Sequence, residues 1–167
     1  LGLCTLTSCE EWGSDYIVDW SPVNIILEVQ DKDGNTLLDP ASPNNIIKGT
    51  TISYCGNTYE VDTTEYHNMT HAILYTDTRA ILPFFHGFYL TRKAWLGYAE
   101  DDLVLCLGEI DGAANMDEDI VITWSDGSKN TIHYHCSDHK EGKHPKCNRW
   151  YMLDGVKQNS NTFTFSK

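Results

Sequence analysis

Basic residues are scarce in this chain. Lys and Arg number 12 against 24 Asp and Glu, a formal net charge of -12. That balance argues against nucleic acid as a partner, because phosphate neutralisation needs clustered Lys and Arg. It argues equally against electrostatic adhesion to anionic lipid. Long apolar runs are also missing. No segment approaches the ~20 consecutive apolar residues that span a bilayer as a helix. There is no long amphipathic helical pattern, no internal repeat and no low-complexity tract. The common catalytic and metal signatures are absent too: no GxSxG elbow, no CxxC pair and no HExxH helix. With 41% hydrophobic residues in 167, however, the chain has enough apolar material for one sizeable core.

Short strands fill that space. VNIILEVQ begins at Val23, and alternation sets Ile25, Leu27 and Val29 on one face. It stops at Asp31-Lys32-Asp33-Gly34-Asn35, a turn cluster. IIKGTTISYCGNTYEVD reads as two strands joined at Gly56-Asn57. Thr63 to Thr76 is ambiguous between a short helix and a loop. RAILPFFHGFYLTR and DLVLCLGEID are apolar runs bounded by turn residues, and ITWSDGSKNTIHY is the clearest hairpin, turning at Asp126-Gly127. Ser137 to Lys146 reads as a polar loop, and RWYMLDGVKQ and NTFTFS close the chain. About nine or ten short strands predict an all-β fold, an antiparallel β-sandwich of immunoglobulin-like type, occupying residues 23–167 as a single domain. Within KNTIHYHC, burying unpartnered imidazoles costs more than burying Ile and Tyr. Ile132 and Tyr134 are therefore expected inward, near Ile122 and Trp124, with His133 and His135 turned outward.

The beginning of the chain has a different character. Leu6-Thr7-Ser8-Cys9 resembles a bacterial lipobox, and LGLCTLTS before Cys9 carries no charge. Residues 1–8 are expected to be the remnant of a signal peptide, and residues 9–22 a lipidated tether anchored at Cys9. Cys4 is a poorer anchor because the bulky Leu3 precedes it. Together with DWSPVNI, DKDGNTLLDP, LGEIDGA and the WSDGS turn, the lipobox makes the chain resemble small Bacteroidetes-type cell-envelope lipoproteins. The resemblance implies a β-sandwich in the cell envelope. Glu10 after the lipobox Cys, where Asp would retain the protein at the inner membrane, implies an outer-membrane lipoprotein, periplasmic or surface-facing. It brings no catalytic residues with it.

Chemistry concentrates in HYHCSDHKEGKHPKC. His133, His135 and His139 are candidate metal ligands, since imidazole suits Zn²⁺ and residues two apart on a strand share a face. Cys136 and Cys147 flank the polar segment and suit a disulfide in an oxidising envelope; such a closed loop stabilises by about 3 kcal/mol in the chain-entropy view. Cys55 and Cys106 sit in strand-like runs and are expected to be unpaired. The acidic stretches at Asp31–Asn35 and at Asp111, Asp117, Glu118 and Asp119 are off the EF-hand template, so Ca²⁺ is a weak expectation there. No cofactor is expected, with Zn²⁺ or Ca²⁺ as the candidates if one is held. Of the Trp residues, Trp124 and Trp150 read as core. Trp12, Trp20 and Trp95 are the ones placed to stack on a ligand, whether glycan, peptide or protein. The leading expectation is a binding or structural module that meets the membrane only through its lipid. The alternative is a metal-dependent enzyme built on the 133–147 patch.

Overall fold

A computed structural model describes residues 23–64, 87–110, 112, 115–141 and 144–167. The expectations for residues 1–22, including Cys9, Trp12 and Trp20, and most of Thr63–Thr76 fall outside these residues. Ten strands are described: β1 (Val23–Gln30), β2 (Thr51–Tyr54), β3 (Asn57–Glu60), β4 (Phe88–Arg92), β5 (Leu103–Ile110), β6 (Met116–Thr123), β7 (Lys129–Glu141), β8 (His144–Leu153), β9 (Val156–Gln158) and β10 (Thr162–Ser166). A short 3₁₀ turn, Lys93–Leu96, lies between β4 and β5. The strands form a four-stranded sheet, ordered β10-β1-β5-β4, and a six-stranded sheet, ordered β3-β2-β6-β7-β8-β9. Every pairing between these strands is antiparallel except β1 with β10, which is parallel. The all-β, two-sheet architecture expected from the strand pattern is therefore observed.

One core lies between the sheets. Leu27, Leu90, Leu105 and Phe165 from the smaller sheet meet Ile52, Ile122, Trp124, Ile132 and Tyr134 from the larger. Trp124 meets Phe165 edge-on at 4.9 Å, and Tyr151 meets Phe163 in the same way at 6.0 Å, so aromatic pairs cross the gap at two places. Ile132 and Tyr134 point inward and are fully buried, and His133 and His135 take the opposite face. The smaller sheet is buried on its other side as well: Ile26, Tyr89, Thr91, Val104 and Cys106 are all buried. Strands covered on both faces read as unbroken apolar runs, which explains why IIL in β1 and LVLCL in β5 do not alternate.

Three turn assignments change. The hairpin between β2 and β3 turns at Cys55-Gly56, not Gly56-Asn57; both turn residues have positive φ, 48° and 76°. A two-residue turn with that geometry matches the right-handed twist of the strands it joins. Cys55 is thus exposed at a turn rather than within a strand. Second, Ser137 to Lys146 is not a loop. The β7–β8 ladder runs on through Ser137↔Asn148 and His139↔Lys146 to Glu141↔His144. The polar composition belongs to the arms of a hairpin, where His139 and Lys146 are exposed. Third, Asp154-Gly155, at φ 48° and 82°, splits the expected closing segment into β8 and β9.

The core face and the outer face of β7 predict opposite mutational costs. Ile132→Ala should lower the unfolding free energy by roughly 2–4 kcal/mol, through lost burial and a residual cavity. His133→Ala should cost less than ~1 kcal/mol, as expected for partly exposed ion pairs. Equilibrium urea unfolding of the two variants checks the ranking, and a larger loss for His133→Ala would reverse the assignment of faces.

Candidate functional site

The outer face of the six-stranded sheet collects the ionisable groups. Register brings Asp119 on β6 opposite His133 on β7, and Asp117 opposite His135. On the other side, His133 faces Met152 and His135 faces Trp150 of β8. The result is a row of carboxylate, imidazole and indole across three strands.

The contacts in this row are close. His133 Nδ1 lies 2.8 Å from Asp119 Oδ1, and His133 Nε2 lies 3.0 Å from Asp117 Oδ1. The same Asp117 oxygen is 2.9 Å from His135 Nδ1. His135 Nε2 is 3.3 Å from Ser137 Oγ. Trp150 stacks on His135, with ring centres 4.7 Å apart and planes 14° from parallel, and its centre is 5.3 Å from that of His133. The carboxylates reach into water, being 68% and 62% exposed for Asp117 and Asp119, whereas the His133 side chain is 29% exposed. Beside the row, Ser53, Cys55, Gly56, Glu118, Asp119, Val121 and His133 help line a shallow cavity of about 360 Å³.

An ionised carboxylate only accepts hydrogen bonds, so each imidazole nitrogen that faces one is best satisfied by carrying a proton. The Asp119 carboxylate, followed by that of Asp117, accordingly raises the pKa of His133 above its ordinary 6.5, against some desolvation. The hydrogen bond from His135, then that from His133, holds Asp117 below its ordinary 3.8.

The residues singled out by the sequence pattern distribute unevenly over this geometry, and the sheet pleat explains how. His133 and His135 are brought together. His139 is on the same face but four residues further along β7, about 13 Å at the rise of a strand, and is exposed. The three histidines therefore do not converge. Cys136 and Cys147 form a disulfide between β7 and β8, with Cα atoms 6.4 Å apart. Cys55 and Cys106 are free, one exposed at a turn and one buried in β5, where burial pushes its thiol pKa up to about 12.

Trp124 is core, as expected, but Trp150 is not: it lies half-buried on the outer face against His135. Tyr151 takes the inward position of β8 in its place. Trp95 is 39% exposed in the 3₁₀ turn after β4, part of the other sheet's connections. Of the acidic stretches, Asp111 falls outside the described residues. The Asp31 carboxylate accepts from the amides of Asp33 and Asn35 at 2.8 and 2.9 Å and closes its own turn. Asp117 and Asp119 belong to strand β6. Among the described residues, no group of three or more His, Cys, Asp or Glu side chains is placed so that it could hold a metal ion; the contacts in the row are hydrogen bonds.

Comparison with known proteins returns no match: no family model, no curated protein and no solved structure matches this chain.

The row has a definite pH signature. His133 gains affinity for its proton on folding, so its contribution to stability is complete below 6.5 and is lost as pH rises through the higher folded value. Asp117 loses affinity for its proton, so its contribution is complete above 3.8 and is lost as pH falls through the lower folded value. The row is at full strength between those limits. In chelator-treated protein, an NMR titration should show His133 titrating above 6.5, and Asp119→Asn should bring it down. A midpoint unmoved by Asp119→Asn would remove the stated cause.

Proposed function

We propose that this protein is a non-catalytic binding module of the bacterial envelope, held at the outer membrane by lipid on Cys9, with the outer face of its six-stranded sheet as the recognition surface. The observation that carries the recognition surface is the half-buried Trp150 stacked on His135 beside two exposed carboxylates. An indole offers a flat apolar platform to the C–H face of a sugar ring. Asp117 and Asp119 offer acceptors to hydroxyl groups at its rim, and His133, hydrogen-bonded to both, holds the two carboxylates in place. This combination fits a glycan better than a peptide, whose backbone would need an open strand edge or a groove. A net charge of -12 turns the choice towards neutral or amino sugars and away from acidic polymers. The envelope location is supported by Leu6-Thr7-Ser8-Cys9 and by the polar tether that follows.

Recognition and anchoring are tested separately. On an array of neutral and amino-sugar oligosaccharides, the protein should bind at least one class. Trp150→Ala should weaken that binding by about tenfold or more, a loss of ~1.4 kcal/mol, with the melting temperature retained. Binding unaffected by Trp150→Ala would move the surface elsewhere. For the anchor, precursor expressed in a lipoprotein-processing bacterium should take up radiolabelled palmitate. Label persisting in Cys9→Ser would exclude Cys9 as its site.

A further inference from the structure

The two sheets differ in width, four strands against six, and the difference falls at one corner of the sandwich. Phe163 of β10 meets Tyr151 of β8, so β10 lies over β8. β9 continues the larger sheet one strand further, and no described strand lies opposite it. Tyr151 pairs with Gln158 and Leu153 with Val156, and directly paired residues share a face. Val156 is therefore on the core side of β9, yet it is 65% exposed. The edge of β10 beside it is open as well. The Ile26 amide donates to the Asn161 carbonyl, and the Lys167 amide to the Gln30 carbonyl. The odd-numbered residues of β10 thus turn their backbone groups to β1, and Thr164 and Ser166 turn theirs away, where they meet no partner among the described residues. The other strand edges are guarded. Asp62 bonds the Phe88 carbonyl and the Leu90 amide of β4. β3 has four residues and ends in Glu60, and β9 has three with Lys157 at its centre. β10 has five residues, with neither charge nor proline.

We propose that residues 14–18 of this same chain dock there, antiparallel to β10 and over Val156, as a fifth strand of the smaller sheet. Residues 1–22 lead into Val23 on β1, the neighbour of β10, at the end where β10 begins. A segment antiparallel to β10 finishes at that same end. From Asp19 to Val23 the chain reaches roughly 13–14 Å, enough to cross the ~10 Å of two strand spacings. Pro22 has no N–H and suits the link rather than a ladder. Alternation in Ser14-Asp15-Tyr16-Ile17-Val18 decides the face. Tyr16 and Val18 point inward over Val156, and Asp15 and Ile17 point outward, because the reverse would bury a carboxylate. The outward residues share the face of the exposed Thr164 side chain, so their backbone groups are the ones that meet β10. A segment held this near acts at an effective concentration on the order of millimolar, so few bonds suffice. A second copy does not fit, because pairing β10 with its copy would set each β9 in the other's place. With lipid on Cys9, as proposed above, docking shortens the tether from residues 10–22 to residues 10–13 and holds the sandwich at the membrane in one orientation. That consequence rests on the anchor; the docking does not.

Amide hydrogen exchange, read by NMR on the full chain without lipid, tests it. The amides of Thr164 and Ile17 should exchange at least about tenfold more slowly than open-chain amides. Ile17→Pro removes a ladder donor and should return Thr164 to the open-chain rate, while Leu105 in β5 stays unchanged as the control for the fold. Val18→Asp should do the same, and Ile17→Val should keep the protection. The proposal is overturned by a Thr164 amide that exchanges at the open-chain rate in the unsubstituted chain. It is overturned equally by protection retained in Ile17→Pro, which means another cover, or by protection that grows with protein concentration, which means a second copy. The palmitate label on Cys9 bears on the anchor alone, so either reading can fail without the other.

Discussion

The register between β6 and β7 is the constraint on which the rest of the structure depends. On β7, Ile132, Tyr134 and Cys136 face the core, and the two-residue period of a strand leaves His133 and His135 no choice but the outer face. A slip of one residue would bury two imidazoles and expose Ile and Tyr, losing several kcal/mol of transfer free energy at once. The turn at Ser125–Ser128 prevents the slip. Gly127 has φ 83°, its amide meets the Trp124 carbonyl at 2.8 Å, and Asp126 accepts from the Ser128 amide at 2.8 Å. With the turn in place, the ladder runs from Thr123↔Lys129 back to Met116↔Cys136, and both His–Asp pairings follow.

That turn is tied to the next one through polar contacts at the same end of the sandwich. The Trp124 indole is buried, and its N–H donates to Asn130 Oδ1 at 2.7 Å. Asn130 donates in turn to Asp154 Oδ2 at 2.6 Å, and Asp154 Oδ1 accepts the Thr131 amide at 2.8 Å. Leaving a buried indole N–H unpaired would cost about 1–3 kcal/mol, so this chain is what lets a large aromatic close the core. It also joins the β6–β7 turn to the Asp154-Gly155 turn, so one register supports the other. The cation of Lys167 sits 4.9 Å above the same indole, fixing the end of β10 against it.

The hairpin that carries the outer row was legible before any coordinates, but its register was not. In an antiparallel hairpin, paired positions sum to a constant. A tight two-residue turn at Asp126-Gly127 would place Tyr134 opposite Asp119; the loop instead closes between Trp124 and Ser128, one residue longer, and that shift sets Asp119 opposite His133 and Asp117 opposite His135. Trp150 was harder to place. Its face depends on where β7 turns into β8, and the polar run after Cys136 conceals a ladder because it shows no apolar alternation. The turns at Cys55-Gly56 and Asp154-Gly155 show the same contrast. Asp-Gly is a recognised hairpin dipeptide, whereas a Cys at positive φ has no such signal. The double-sided burial of β1 and β5 was visible only as a lack of alternation, a pattern shared with other kinds of buried segment.

The outer row contributes little to holding the fold together. Partly exposed ion pairs contribute around 0.2–1 kcal/mol each, and salt screens them. The core between the sheets, with its fully buried Ile, Leu, Phe and Trp side chains, carries the stability. A single carboxylate beside each imidazole would keep the face soluble. Instead, one Asp117 oxygen is shared by two rings, and each ring's remaining nitrogen has its own partner. Such an arrangement restricts ring rotation and tautomer at the cost of side-chain entropy. Stability does not require that restriction, but recognition does, because it needs donors and acceptors held in fixed directions before the ligand arrives. The surest indication of function in this sandwich is therefore order at a surface where disorder would cost the fold almost nothing.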